Sequence, residues 1–90
     1  MATVIHGSTW WLGNGFAPGV EHYWSWDLGG NAWGVEITAC PSILGDSEAM
    51  VKDLRVQSST TGLWTALFSV INTGTTTIRG YSLNFTKVGN

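Results

Sequence analysis

The chain has 90 residues, of which 43% are hydrophobic and 11% are charged, and its formal net charge is −2. A chain of this length forms one domain and buries only roughly 60–65% of its unfolded surface, which disfavours a deep enzyme active site. The composition excludes a disordered or highly charged protein. The four Lys and Arg residues are too few and too scattered to neutralise a run of phosphates, so we expect no nucleic acid partner.

The sequence also bears on compartment and membrane contact. Cys40 is the only cysteine, so no intrachain disulfide can form, and this favours a reducing compartment such as the cytoplasm. Residues 1–6 have neither the basic region nor the long apolar region of a signal peptide. No stretch reaches the roughly 20 apolar residues that span a bilayer, so we expect no membrane partner.

Short runs of β-branched and aromatic residues alternate with turn-forming clusters along the whole chain. This pattern predicts an all-β protein: a single antiparallel β-sandwich over residues 1–90, immunoglobulin-like, with about seven strands. No segment has the sustained period of an amphipathic helix. The turn clusters, in chain order, are residues 13–15, 17–19, 29–31, 41–42, 45–47, 58–62 and 72–74.

Alternation assigns the faces of the predicted strands, because successive side chains of a strand point to opposite sides. In residues 33–39 we expect the odd positions to face the core. In residues 54–56 we expect Leu54 and Val56 to face the core and Arg55 to face solvent. In residues 63–71 the even positions are expected to face inward, and in residues 78–87 the odd positions. The turn at residues 72–74 is predicted to join the last two strands as a hairpin.

Aromatic residues are concentrated in the first third of the chain. Trp10 and Trp11 are neighbours, so in an extended strand one points inward and the other outward. In residues 20–26, either Tyr23 is exposed while the two tryptophans face the core, or the reverse register exposes both tryptophans. In each register a large aromatic ring lies on the surface, and such exposure is costly unless the ring binds something.

Exposed aromatic rings beside polar side chains are typical of carbohydrate-binding sites. The C–H bonds of a sugar ring meet the negative face of an aromatic ring, and neighbouring polar groups bind the hydroxyls. We therefore predict a non-catalytic, lectin-like module in which Trp11, Tyr23 and Trp26 stack on sugar rings. The residues predicted to bind sugar hydroxyls are Asn14, Glu21, Asp27 and Asn31.

A second class of function fits the same composition. The chain could be a structural or assembly subunit whose tryptophan cluster is buried between protomers. Carbohydrate binding also predicts a homo-oligomer, because single-site sugar affinity is weak and several copies raise the avidity. The two hypotheses differ in whether the indoles are open to solvent before ligand is added.

His6, His22 and Cys40 are the residues that could carry acid–base, metal or nucleophilic chemistry. The sequence has no HExxH, no CxxC and no calcium-loop pattern, so we predict no metal and no cofactor. Cys40 could act as a nucleophile paired with either histidine, but only the presence of these residue types supports this, and no motif or spacing does. We accordingly expect no enzyme activity and no catalytic residue.

Two segments resemble parts of family-2 carbohydrate-binding modules. Residues 63–74 end in Asn-Thr-Gly and lead into residues 78–85, as in the hairpin of those modules, where this turn precedes a strand with a Gly-aromatic pair, here Gly80 and Tyr81. Residues 11–19, with a tryptophan and a Pro-Gly turn, resemble a later segment. The two segments occur here in the opposite order, and the terminal cysteine pair of that family is absent. The resemblance implies a β-sandwich and a carbohydrate ligand.

Overall fold

The all-β prediction is confirmed. A computed structural model describes residues 3–29, 32–42 and 47–89, apart from the side chain of Asn14. These residues form six strands, where about seven were expected, and contain no helix that could cross a membrane. The strands are β1 (Thr3–Phe16), β2 (Glu21–Asp27), β3 (Ala32–Pro41), β4 (Ala49–Ser58), β5 (Trp64–Asn72) and β6 (Ile78–Gly89).

The strands form two antiparallel three-stranded sheets, which pack as a sandwich. The first sheet has the order β1-β6-β3 and the second the order β2-β5-β4. In an immunoglobulin constant domain, strands numbered along the chain are ordered 1-2-5-4 and 3-6-7. Here β2 to β6 follow the second to sixth strands of that arrangement, while β1 occupies the place of the seventh, beside β6 and antiparallel to it.

The core lies between the sheets and follows the predicted alternation on the two central strands. On β5 the even positions Ala66, Phe68 and Val70 are buried, as expected. On β6 the odd positions Tyr81 and Leu83 are buried, which also confirms the prediction. Central strands are covered by neighbours on both sides, so their inward side chains lose nearly all contact with water. The remaining buried hydrophobic residues are Phe16, Leu28, Ile37 and Ile78.

Two expectations about the edge strands are wrong. Trp33 was expected in the core, yet 57% of its surface is exposed. The register with β6 shifts between Ala32 and Gly34, so Trp33 is an extra residue in a β-bulge and does not follow the alternation. Val56 lies opposite the buried Ala66, but it stays 41% exposed because β4 is an edge strand, and Leu54 is likewise exposed.

The predicted hairpin at residues 72–74 is also wrong. β5 and β6 belong to different sheets, so residues 73–77 cross from one sheet to the other. The buried side chain of Asn72 holds this crossing: its amide donates to the carbonyls of Phe16 (2.8 Å) and Thr76 (2.9 Å), and its oxygen accepts from the Gly74 amide (3.0 Å). The backbone of Asn72 bonds the residue 17–20 turn as well, through Gly19 and Val20. Asn72 therefore joins the β1–β2 and β5–β6 connections.

Candidate functional site

A cavity of about 390 Å³ opens on the flank of the sandwich where the edge strands β1 and β2 lie above one another. Its volume is at the small end of the range for ligand pockets. The described residues that line it combine three aromatic rings with a carboxylate and an imidazole: Trp11, Glu21, His22, Tyr23 and Trp24.

The indole of Trp11 is confined by Gly13 and Tyr81, and the Trp11 backbone lies close to Gly80. A Cβ atom at Gly13 would lie 2.8 Å from the Trp11 ring, so only glycine leaves room for the indole there. A Cβ atom at Gly80 would lie 2.8 Å from the Trp11 carbonyl oxygen, so this glycine allows β1 and β6 to approach closely. The Trp11 ring stacks on Tyr81 with centroids 5.3 Å apart and planes 21° apart. Trp11 therefore presents a fixed aromatic surface to the cavity.

A hydrogen-bond chain centred on the buried Tyr81 crosses the sandwich beneath the cavity. The indole Nε1 of Trp24 donates to the hydroxyl oxygen of Tyr81 at 2.8 Å, and that oxygen is 2.9 Å from Nδ1 of His22. Trp24 can only donate, so the single hydroxyl hydrogen of Tyr81 is free to bond Nδ1 of His22. In the opposite arrangement the buried hydroxyl hydrogen would have no acceptor among the described residues. The chain therefore fixes the neutral His22 with its proton on Nε2.

Burial shifts the pKa of two members of this chain, His22 and Tyr81. Burial lowers the pKa of His22 below its usual value, which favours the neutral imidazole that the chain requires. Burial also raises the pKa of Tyr81, with the Trp24 hydrogen bond acting in the opposite direction. The His22 ring is stacked on Phe16 with centroids 4.2 Å apart, and its centroid lies 4.6 Å from that of Trp11. His22 is thus a rigid wall of the cavity.

Glu21 supplies a permanent negative charge at the cavity. Its carboxylate lies 3.0 Å from Nζ of Lys52, and the hydrogen bond from this ammonium group lowers the pKa of Glu21, although partial burial opposes the shift. Hydrogen bonds from Ser69 and Tyr23 lower it further. Glu21 is therefore ionised at neutral pH, and its oxygens can accept hydrogen bonds from ligand hydroxyl groups.

A second cavity of about 300 Å³ lies on the outer face of the sheet that contains β2. Glu21, Tyr23 and Trp24 line both cavities, and the second one adds the side chains of Asp53 and Arg55. Tyr23 is 81% exposed and belongs to both cavities. The two cavities therefore form one surface that runs over the edge of β2.

The structure brings together three of the seven predicted ligand-binding residues. Trp11, Glu21 and Tyr23 line the same cavity. Trp26 does not join them, because it faces the core and packs on Phe85 with ring centroids 4.5 Å apart. Asp27, at the far end of β2, instead accepts a hydrogen bond from the Gly29 amide at 2.9 Å. The side chain of Asn14 and the whole of Asn31 lie outside the described residues.

The sequence prediction did not include two residues that line the cavity, His22 and Trp24. Both face inward on β2, on the same face as Trp26, and of these three rings the prediction included only Trp26. A signal was present in the sequence, because the alternate positions 22, 24 and 26 are all aromatic or imidazole rings. An inward ring on an edge strand can still contact a ligand, since no further strand covers it.

The groups that could carry catalysis are not brought together. Cys40 lies opposite Ser82, while His6 lies opposite Thr86, four residues further along β6. His22 is on the other sheet and faces the core. Within residues 3–29, 32–42 and 47–89, no group of three or more His, Cys, Asp or Glu side chains could hold a metal ion.

Comparison of the chain with protein-family models, with curated proteins and with solved structures gives no significant match in any of the three.

Proposed function

We propose that the protein is a non-catalytic recognition module that binds carbohydrate at the cavity between β1 and β2. The observation that supports this most directly is the lining of that cavity: the rings of Trp11, Tyr23 and Trp24 beside the carboxylate of Glu21. A sugar presents apolar C–H faces and polar hydroxyl edges, and this lining offers a partner for each.

The polar groups of the cavity suit hydroxyl ligands. Glu21 accepts hydrogen bonds only, so it pairs with hydroxyl hydrogens. His22 has Nδ1 occupied by Tyr81, which leaves Nε2–H as a donor to a hydroxyl oxygen. One fixed acceptor and one fixed donor beside the aromatic rings set the orientation of a sugar ring, which is the basis of discrimination between sugars that differ at a single hydroxyl.

We propose no catalytic role because of the hydrogen bonding and packing of the His22 ring. Its Nδ1 is engaged by Tyr81, and its ring is fixed between Phe16 and Trp11. A general base needs a free ring nitrogen that accepts a proton, whereas the nitrogen left to the ligand already carries one. Binding and orientation of a ligand are the functions that this geometry supports.

The first test is a binding screen of the full chain against mono- and oligosaccharides, followed by titration of Tyr23→Ala. For a sugar that the screen identifies, we expect this substitution to lower the affinity about tenfold or more, because an aromatic ring that contacts the ligand is lost. Trp33→Ala is the matched control, because Trp33 is also an exposed ring but lies on β3. No binding to any sugar, or equal effects of the two substitutions, would refute the proposed site.

A second test concerns the charge at the cavity. Glu21→Gln keeps the shape of the side chain and removes the charge, so we expect sugar affinity to fall by roughly tenfold as a charge-assisted hydrogen bond is lost. Glu36→Gln changes an exposed carboxylate on the other sheet and should leave the affinity unchanged. A neutral effect of Glu21→Gln would exclude Glu21 from the site.

The alternative function, an assembly subunit with its tryptophan cluster buried between protomers, has narrower support. Four of the six tryptophans pack against the core of a single chain, namely Trp11, Trp24, Trp26 and Trp64. Only Trp10 and Trp33 are exposed, at 58% and 57%. Quenching of tryptophan fluorescence tests this alternative: both indoles would be shielded in a stable oligomer and open to quencher in a monomer.

A further inference from the structure

The free edge of β1 is long and regular. From Thr3 to Leu12 each residue of β1 pairs with one residue of β6, without a bulge. On its other side β1 is the edge of its sheet and pairs with no strand of the described residues. Its outward backbone N–H and C=O groups are therefore available to another strand.

The other three edge strands carry features that oppose pairing with another chain. β2 is short and carries two carboxylates, Glu21 and Asp27. β3 ends in Pro41 and contains a bulge at its start. β4 carries Lys52 and Asp53, and its register with β5 is broken at this point, where Asp53 has a positive φ of 56°. Charges, proline and bulges are the devices by which proteins block edge pairing.

β1 has none of these devices over its ten regular residues. The segment from Thr3 to Leu12 contains no proline and no Lys, Arg, Asp or Glu. Several of its apolar side chains are exposed, and Leu12 is the most open at 76%. The other exposed apolar residues of this strand are Val4, Ile5 and Trp10.

We propose that the free edge of β1 pairs antiparallel with the same edge of a second copy of the chain. The product is a two-fold dimer in which two three-stranded sheets become one continuous six-stranded sheet. An uncharged strand is compatible with its own antiparallel copy, because no like charges come to lie opposite each other. Charge composition thus favours a second copy as the occupant of this edge.

Alternation restricts the register of the dimer. Residues opposite each other in antiparallel strands point to the same face of the sheet. The two-fold axis therefore lies between the two β1 strands at the level of one residue, which pairs with its own copy, and not at the level of a peptide bond between two residues. The registers that obey this rule and overlap nine of the ten regular residues place the axis at Gly7 or at Ser8. Val4 of one copy then lies opposite Trp10 or Leu12 of the other. Both registers therefore bring exposed apolar side chains together on the outer face of the sheet.

The dimer does not depend on carbohydrate binding, so the two proposals can fail separately. Sedimentation velocity of the full chain without added sugar, over a range of concentrations, is the direct test. We expect a reversible monomer–dimer equilibrium. A monomer at every concentration would overturn the proposal, whatever the result of the sugar screen.

Two lysine substitutions, one on β1 and one on β3, test which edge of the sheet forms the dimer interface. Ser8 and Thr38 are both exposed and both lie opposite Asn84, on the β1 and β3 sides of β6 respectively. Ser8→Lys brings two positive charges together near the two-fold axis, and we expect it to weaken the dimer at least about tenfold. Thr38→Lys adds the same charge on the same face and should leave the dimer intact. The reverse result, or equal effects, would overturn the proposal.

Hydrogen exchange of the wild-type chain provides a test that does not rely on variants. Amides of β1 that face its free edge should become more protected as protein concentration rises, while those of β4 should not. Protection of β4 alone, or of neither strand in a sample that sediments as a dimer, would contradict pairing through β1. This measurement also decides the matter if Ser8→Lys fails to fold.

Discussion

Removal of a single oxygen atom at Tyr81 should destabilise the protein strongly. Tyr81→Phe deletes the hydroxyl that accepts from Trp24 at 2.8 Å and contacts His22 Nδ1 at 2.9 Å, at a position with 0% exposure. Each hydrogen bond contributes about 1 kcal/mol, and the ring nitrogens of Trp24 and His22, which belong to half-buried side chains, are left without this partner, so we expect about 2–4 kcal/mol. A domain of this size has a stability of roughly 5–13 kcal/mol, so this is a large fraction of it.

Urea unfolding measures this change in the free energy of unfolding, and thermal unfolding should give a midpoint lower by roughly 8–30 °C. The matched control is Tyr23→Phe, which removes the same atom from an exposed ring and should cost less than about 0.5 kcal/mol. Nitrogen NMR provides a second readout: in the wild type the proton of His22 should reside on Nε2, and in Tyr81→Phe this preference should weaken. Equal stability of the two variants would refute the hydrogen-bond chain centred on Tyr81.

The remaining predictions concern the crossing of the sheets and the response to pH. Asn72→Ala removes the three hydrogen bonds of a buried side chain and should cost about 2–4 kcal/mol in urea unfolding, whereas Asn84→Ala, at an exposed position, should cost under about 0.5 kcal/mol. Similar losses would show that Asn72 does not hold the connections. Because burial lowers the pKa of His22 in the folded state, the unfolded chain binds a proton at this residue at a higher pH than the folded chain does, near the ordinary histidine pKa of 6.5. Urea midpoints should therefore fall as the pH is lowered from 6.5 towards the folded pKa of His22, and His22→Gln should reduce this slope; a slope unchanged by the substitution would contradict the assignment.

Alternation predicted the faces of the central strands and failed at some positions of the edge strands, although Ile37 on β3 is buried as expected. β5 and β6 have neighbours on both sides, so inward direction and burial coincide for residues such as Phe68 and Leu83. On β4 the two properties separate, since Val56 faces inward and remains exposed. At Trp33 a bulge changes the phase, and a bulge depends on pairing with a distant strand. The local sequence carries no information on that pairing.

The candidate site was predictable only in part for a similar reason. Tyr23 was expected to be exposed in one of two registers, and the structure has that register. The chain from Trp24 through Tyr81 to His22 joins residues more than 50 positions apart, and no local pattern links them. The Asn-Thr-Gly segment was recognised as a turn, but a turn signal does not state whether the next strand returns to the same sheet.

The position of β1 also bears on the connectivity of the fold. Thr3 lies opposite Gly89, so the first strand begins beside the point where the last strand ends. A circularly permuted chain that starts within the 17–20 turn and continues from Gly89 into Thr3 through a short linker would keep every strand pair. In that permutant β1 would follow β6 as a hairpin and would become the last strand. Its order along the chain would then match strands two to seven of an immunoglobulin domain, so the two topologies differ by one relocated connection and by the first immunoglobulin strand, which has no counterpart among the described residues.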